Sequence, residues 1–175
     1  NRAYKGDQLI IQNLEIGIQK TTYVKADNLM LEMGKAYVLT GKPGSGKSLL
    51  MSKLNRVTGN NVRGTGNIYY PLVAGKKPNI VMVTQEKYFP ANSSLQKVIA
   101  WPDKESNDPV LQEKQKEEMH LLLQEIDLGS TVVDTSGLGS VQNWDTILSP
   151  GQQRKIMLVS AILKKPDILI LDETF

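Results

Sequence analysis

Residues Gly41 to Ser48 read GKPGSGKS, and few short stretches restrict a fold as much. The pattern G-x-x-x-x-G-K-[ST] gains structural meaning where a strand precedes the loop and a helix follows it, so that backbone N–H groups converge on an anion. Both neighbours are predicted here. KAYVLTG (Lys35–Gly41) reads as a short continuous apolar strand, and KSLLMSKLNRV (Lys47–Val57) sets Leu49, Leu50, Leu54 and Val57 at helical spacing. The expected phosphate cradle is Gly41, Lys42, Pro43, Gly44, Ser45, Gly46, Lys47 and Ser48, with Leu49 next in the helix. Its glycines let N–H groups turn inward, Lys47 reaches β- and γ-phosphate oxygens, and the Ser48 hydroxyl stands where Mg²⁺ would be held.

Two further apolar runs, NIVMVTQ (Asn79–Gln85) and DILILDE (Asp167–Glu173), have the pattern of strands covered on both faces, which argues for a parallel sheet with helices packed on it. LIIQNLEIGI (Leu9–Ile18) and ADNLMLEM (Ala26–Met33) alternate enough for an antiparallel pair. From about Ser93 to Leu148 the strand signals fade, and Asp108 as N-cap, Pro109 at the first helical position and Gly129 as a stop mark a helix. The fold expected is α/β: a core of residues 1–92 and 149–175 with an N-terminal antiparallel β portion, and a helical subdomain over residues 93–148 inserted into it. His120, the single histidine, falls in the charged helix and is expected to be a partly solvated helix residue.

Chemistry gathers at two more places. Asp172 follows the apolar ILIL run, at the carboxyl end of a strand where open α/β sheets bind ligands, and suits Mg²⁺ held through water. Glu173 beside it can orient and deprotonate an attacking water. In ILSPGQQRK (Ile147–Lys155) a serine and flexible residues open a helix, a further candidate phosphate contact.

Composition excludes more than it selects. The 175 residues suffice for one sizeable core, and a net charge of +3 with scattered Lys and Arg does not suggest nucleic-acid binding. No cysteines and one histidine argue against a disulfide scaffold, a Cys-ligated metal or a histidine metal site. No apolar run approaches the roughly 20 residues needed to cross a bilayer. The start without Met or signal pattern, and the stop right after a buried-strand pattern, read as a piece of a longer chain, truncated at its C-terminal end.

A phosphate loop, SPGQ before a helix and a strand closing in Asp-Glu, in that order, resemble the ATP-binding cassette (ABC) ATPases over most of the chain. The resemblance implies that Gln85 is the Q-loop glutamine near the metal and the attacking water, that Ser149, Gly151 and Gln152 are signature positions serving the nucleotide of an opposite subunit, and that Asp172 and Glu173 are the Walker B acid and the catalytic base. It places the adenine contact at Ile18, with Tyr23 the nearest aromatic downstream. VTQEKYFPANSSLQKVIAWP and the Trp144 region look similar to subfamily D cassettes of half-transporters and their bacterial peptide- and vitamin-uptake relatives, with Trp101 and Trp144 in matching places.

Departures are part of the likeness. Pro150 stands for the first signature glycine and removes one N–H. The family's dimer-contact loop and switch histidine, which follow Walker B, are not in this sequence, so the fragment by itself is expected to be a weak or inactive ATPase. The resemblance implies a cassette that binds ATP and Mg²⁺, pairs head to tail with a second copy, and serves a transmembrane domain, N-terminal in the same polypeptide, at the cytoplasmic face of a membrane. The alternatives are a soluble ABC ATPase acting on ribosomes or nucleic acid, of which only the chromosome-maintenance version is disfavoured by the lack of heptads between Gln85 and Leu148, and a non-hydrolysing regulatory module.

Overall fold

A computed structural model describes residues 2–57, 62–84, 89–100, 108–128 and 137–172. They form two compact units, one from the chain up to Met82 together with Pro166–Asp172, the other from Val83–Lys165.

In the first unit the expected hairpin is present: β2 (Gln8–Ile18) and β3 (Thr21–Glu32) run antiparallel, from Gln8 opposite Glu32 to Ile18 opposite Thr21. β1 (Arg2–Tyr4) and β4 (Val62–Pro71) complete a four-stranded sheet in the order β1-β4-β2-β3, with β1 parallel to β4. Along β2 the buried residues are Leu9 and Ile11, then Leu14 and Ile16, a change of parity that would turn the second pair to solvent in a regular strand. The register against β4 shifts between Gln12 and Glu15, and Asn13 takes a φ of 48°. That extra residue returns the apolar set to one face. Opposite it Gly66 has φ 85°, and a Cβ there would lie 2.2 Å from the Asn13 carbonyl oxygen, so only glycine fits.

Ile68 and Tyr70 of β4 join the same buried face, and helix α1 (Lys47–Leu54) covers it with Leu50, backed by Leu49 and Leu54. The C-terminal end of α1 is tied down by one side chain: the Tyr70 hydroxyl donates to the Leu54 carbonyl at 2.8 Å, and the Arg56 guanidinium sits 4.4 Å from the centre of the Tyr70 ring. The two strands expected from NIVMVTQ and DILILDE, β5 (Ile80–Val83) and β8 (Ile168–Leu171), pair with each other. Asn79 begins the pairing, accepting from the Asp167 and Ile168 N–H groups while its own N–H donates to the Asp167 carboxylate at 2.7 Å.

The strand expected at KAYVLTG is not formed. Residues 35–42 have no ladder partner among the described residues, and Tyr37, Val38 and Leu39 are 52%, 88% and 42% exposed. A short apolar run becomes a strand only when neighbours supply hydrogen bonds on its edges. Here the chain turns at Met33 and Gly34, and the Tyr37 hydroxyl accepts the Glu32 N–H instead.

The second unit is helical, as expected of the subdomain. A short antiparallel ribbon, β6 (Ser93–Ser94) with β7 (Val141–Gln142), stands beside α2 (Leu95–Ala100), α3 (Pro109–Glu125), α4 (Trp144–Ile147) and α5 (Pro150–Leu163). Asp108 caps α3 as expected, accepting the Val110 N–H at 3.0 Å with Pro109 in the first turn, while Gly129 lies outside the described residues. His120 is half-buried on α3, hydrogen-bonded to Gln124. The sequence boundaries placed residues 149–175 with the α/β core, but α5 sends Ile156 and Val159, both fully buried, into one cluster with Leu95, Ile99, Leu123 and Trp144. Its apolar stripe has its partners in α2 and α3, and Lys155 adds a 2.7 Å bond from Nζ to the Ile126 carbonyl at the end of α3. Trp101 lies outside the described residues.

Burial, offset in part by Arg56, holds the Tyr70 hydroxyl above its ordinary pKa of 10.0. The unfolded chain therefore loses this proton first as pH rises, so the contribution is full below about pH 10 and is lost above it. Tyr70→Phe, which keeps the ring under Arg56, is expected to destabilise the protein by about 1 kcal/mol in urea unfolding at neutral pH, and the difference from wild type should shrink above pH 10.

Candidate functional site

The glycine loop is seated before it is charged. Gly46, the N-cap of α1, has φ 90°, and a Cβ there would meet Val24 Cγ2 at 2.8 Å and Tyr23 Cβ at 3.0 Å, so the loop rests directly on β3. Gly44 has φ 75° with open space around it. Between them the chain folds back: the Ser45 N–H donates to the Lys42 carbonyl at 3.2 Å, and Lys47 Nζ donates to the carbonyls of Gly41 at 2.9 Å and Lys42 at 3.0 Å. The ammonium thus occupies the mouth of its own loop. The first-turn N–H groups of α1 have no intrahelical acceptors, and the turn itself contains no acidic residue. Together these groups make a donor-rich concavity with the Lys47 ammonium at its mouth.

One residue on, the Ser48 hydroxyl donates to Asp172 Oδ1 at 3.1 Å, joining the start of α1 to the end of β8. The two oxygens lie side by side and form a hard donor pair that would suit a small cation. No group of three or more His, Cys, Asp or Glu occurs among the described residues. A two-oxygen site suits Mg²⁺, which keeps several waters and takes one or two protein oxygens together with substrate phosphates. Gln85 and Glu173, the other residues expected at this centre, lie outside the described residues.

Ile18 ends β2 at the tip of the hairpin, paired with Thr21 and 39% exposed. Tyr23, two residues past Thr21 on the returning strand, has its Cβ against Gly46 and is 45% exposed. An exposed ring beside the loop is the more direct candidate for stacking on a base, and the contact that reveals it is tertiary.

In the helical unit, Ser149, Pro150 and Gly151 are exposed at the start of α5. Ser149 caps the helix: its Oγ accepts the Gln152 N–H at 3.3 Å, and Gln152 Oε1 accepts the Ser149 N–H at 2.8 Å, a reciprocal capping box. Pro150 takes the first helical position, where a missing N–H breaks no intrahelical bond. A Cβ on Gly151 would meet nothing within 4 Å, so its backbone is open to approach. Sequence reasoning missed Gln153, which is 5% exposed and donates to three oxygens just before the cap. Polar character alone suggested a solvated face; only the buried apolar residues at helical spacing around it, Ile156 and Val159, hinted otherwise.

A glycine loop closed by its own lysine, with a hydroxyl–carboxylate pair at the following helix, defines a phosphate-binding nucleotide site of the P-loop kind. The chain belongs to the ABC transporter family, whose model matches residues 24–175. It is 32% identical to the phosphate import ATP-binding protein PstB 1 of Ligilactobacillus salivarius, over 83% of this chain and 56% of that protein. It is 26% identical to an ABC transporter ATP-binding protein of Synechocystis, over 96% of this chain and 24% of that one. The chain thus spans about half the length of the first relative and a quarter of the second. Among solved structures, a metal-chelate type ABC transporter in an inward-facing conformation matches with a TM-score of 0.67 at 20% identity, covering 97% of this chain and 61% of that one, a likeness of fold.

The two left-handed glycines of the loop differ in their surroundings, and substitution should separate them. Gly46→Ala is expected to cost more stability in urea unfolding than Gly44→Ala, since both carry left-handed strain of about 1–2 kcal/mol but only Gly46 meets β3. Equal losses would mean that the loop is not seated there.

Proposed function

We propose that the chain is the ATP-binding and ATP-hydrolysing part of an ABC transporter, working as a head-to-tail pair of cassettes. The observation that carries this reading is the Ser48–Asp172 bond beside a lysine curled into its own loop. Lys47 exchanges two carbonyl partners for the β- and γ-phosphate oxygens of ATP, and the loop N–H groups, with Ser45 and the first turn of α1 through Leu49, surround the same phosphates. Ser48, Asp172 and Gln85 would hold Mg²⁺, which would supply charge neutralisation on those oxygens. Glu173 orients water for attack on the γ-phosphorus and takes its proton as the bond to the bridging oxygen breaks. Tyr23 stacks on the base, in the region where Ile18 was expected to touch it.

The second copy contributes Ser149, Gly151 and Gln152 to the γ-phosphate from across the interface. The exposure of Ser149 and Gly151 at a helix N-terminus, with no acid in the first turn, supports this role. The pair would act on a transmembrane domain, N-terminal in the same polypeptide, at the cytoplasmic face of a membrane; no helix among the described residues is long and apolar enough to cross one. The narrower kinship with subfamily D is part of the proposal and draws on Trp144, buried just before the signature.

In the full-length protein, Glu173→Gln is expected to lower ATP turnover by about a hundredfold or more, the scale of a lost general base, with ATP binding retained. Equal turnover would favour a regulatory module that uses ATP only to associate. Tyr23→Ala should weaken ATP binding about tenfold, the loss of one base–aromatic stack, and more than Ile18→Ala does, as read by equilibrium titration.

A further inference from the structure

We infer that Gln153 is a positioning residue for the Ser149 loop, a reading that rests on the cross-subunit role just proposed for that loop. A glutamine in the first turns of a helix usually faces water. Gln153 instead is 5% exposed, and its amide nitrogen donates to the Leu148 carbonyl at 3.0 Å, the Asp145 carbonyl at 2.9 Å and Asp145 Oδ1 at 3.4 Å.

The Leu148 carbonyl and the Ser149 N–H are the two polar edges of one peptide plane. Gln153 holds the first edge and the Gln152 side chain holds the second, at 2.8 Å. On the far side of Ser149, the Pro150 ring fixes φ. Leu148 and Trp144 anchor the same segment in the buried cluster. The plane that sets the direction of Ser149 therefore cannot rotate while both glutamines are in place. Because Ser149 Oγ accepts from the Gln152 N–H, its own O–H is free of that bond and available to donate to the proposed phosphate. Pro150 brings no N–H donor, and the clamp keeps the neighbouring donors aimed without thermal search.

The test uses the full-length protein and two numbers, kcat for ATP turnover and Kd for a fluorescent ATP analogue. Gln153→Leu removes the amide at similar volume, and Gln153→Glu keeps the shape but opposes a carboxylate to three acceptor oxygens. Both variants are expected to lower kcat about tenfold to a hundredfold, the scale of a donor misplaced by an ångström, with Kd within about twofold of wild type because Lys47 and its loop are untouched. Combined with Ser149→Ala, the losses should be strongly non-additive, since the clamp acts through that hydroxyl. Unchanged kcat, losses that simply add to those of Ser149→Ala, or loss of nucleotide binding together with turnover in both variants would each overturn the inference and leave Gln153 a packing residue. Absence of turnover in the wild-type protein would instead remove the proposed function beneath it.

Discussion

The Lys47 ammonium bonded to the carbonyls of Gly41 and Lys42 is the contact on which the rest of the first unit turns. A loop rich in glycine has the largest conformational entropy to lose, and its convergent N–H groups repel a cation rather than attract one. Turning two carbonyls toward the lysine offsets both effects. The loop keeps a curvature close to what an anion needs, and the ligand has only to exchange one set of oxygens for another. This works because the loop is fixed at its exit: Gly46 is pressed onto β3, α1 lies on the sheet through Leu50, and Tyr70 holds the far end of the helix. The bulge at Asn13 and Gly66 serves the same end, keeping four apolar residues of β2 under that helix.

The helical unit solves a different problem with related means. A helix N-terminus proposed to meet an anion on another molecule must be exposed, and exposure invites fraying. The capping box of Ser149 and Gln152, Pro150 in the first turn and Gln153 buried beneath it hold the end rigid without covering it. The weight of α5 rests on α2 and α3, through Ile156 and Val159. In both units, an exposed donor-rich helix start is stabilised from its buried side.

Much of this was legible in the sequence, because local chemistry and spacing fix it. The phosphate loop, the cap at Asp108 and Pro109, the hairpin of β2 and β3, and the strand that ends in Asp172 each follow from residues close together in the chain. What escaped depends on distant partners. KAYVLTG has the composition of a strand but no ladder partner among the described residues; VRGTGNIYYP, which the sequence patterns did not single out, is the interior strand β4, since β1 and β2 supply both its edges. The burial of Gln153 and the contact of Tyr23 with Gly46 arise from tertiary packing that no period or motif announces.

The most direct measurement is a structure of the full-length protein with MgATP bound. The account predicts that Lys47 Nζ leaves the Gly41 and Lys42 carbonyls and lies about 3 Å from phosphate oxygens, with the cation between Ser48 and Asp172. A nucleotide bound elsewhere, with Lys47 still donating to both carbonyls and Ser48 still bonded directly to Asp172, would contradict it.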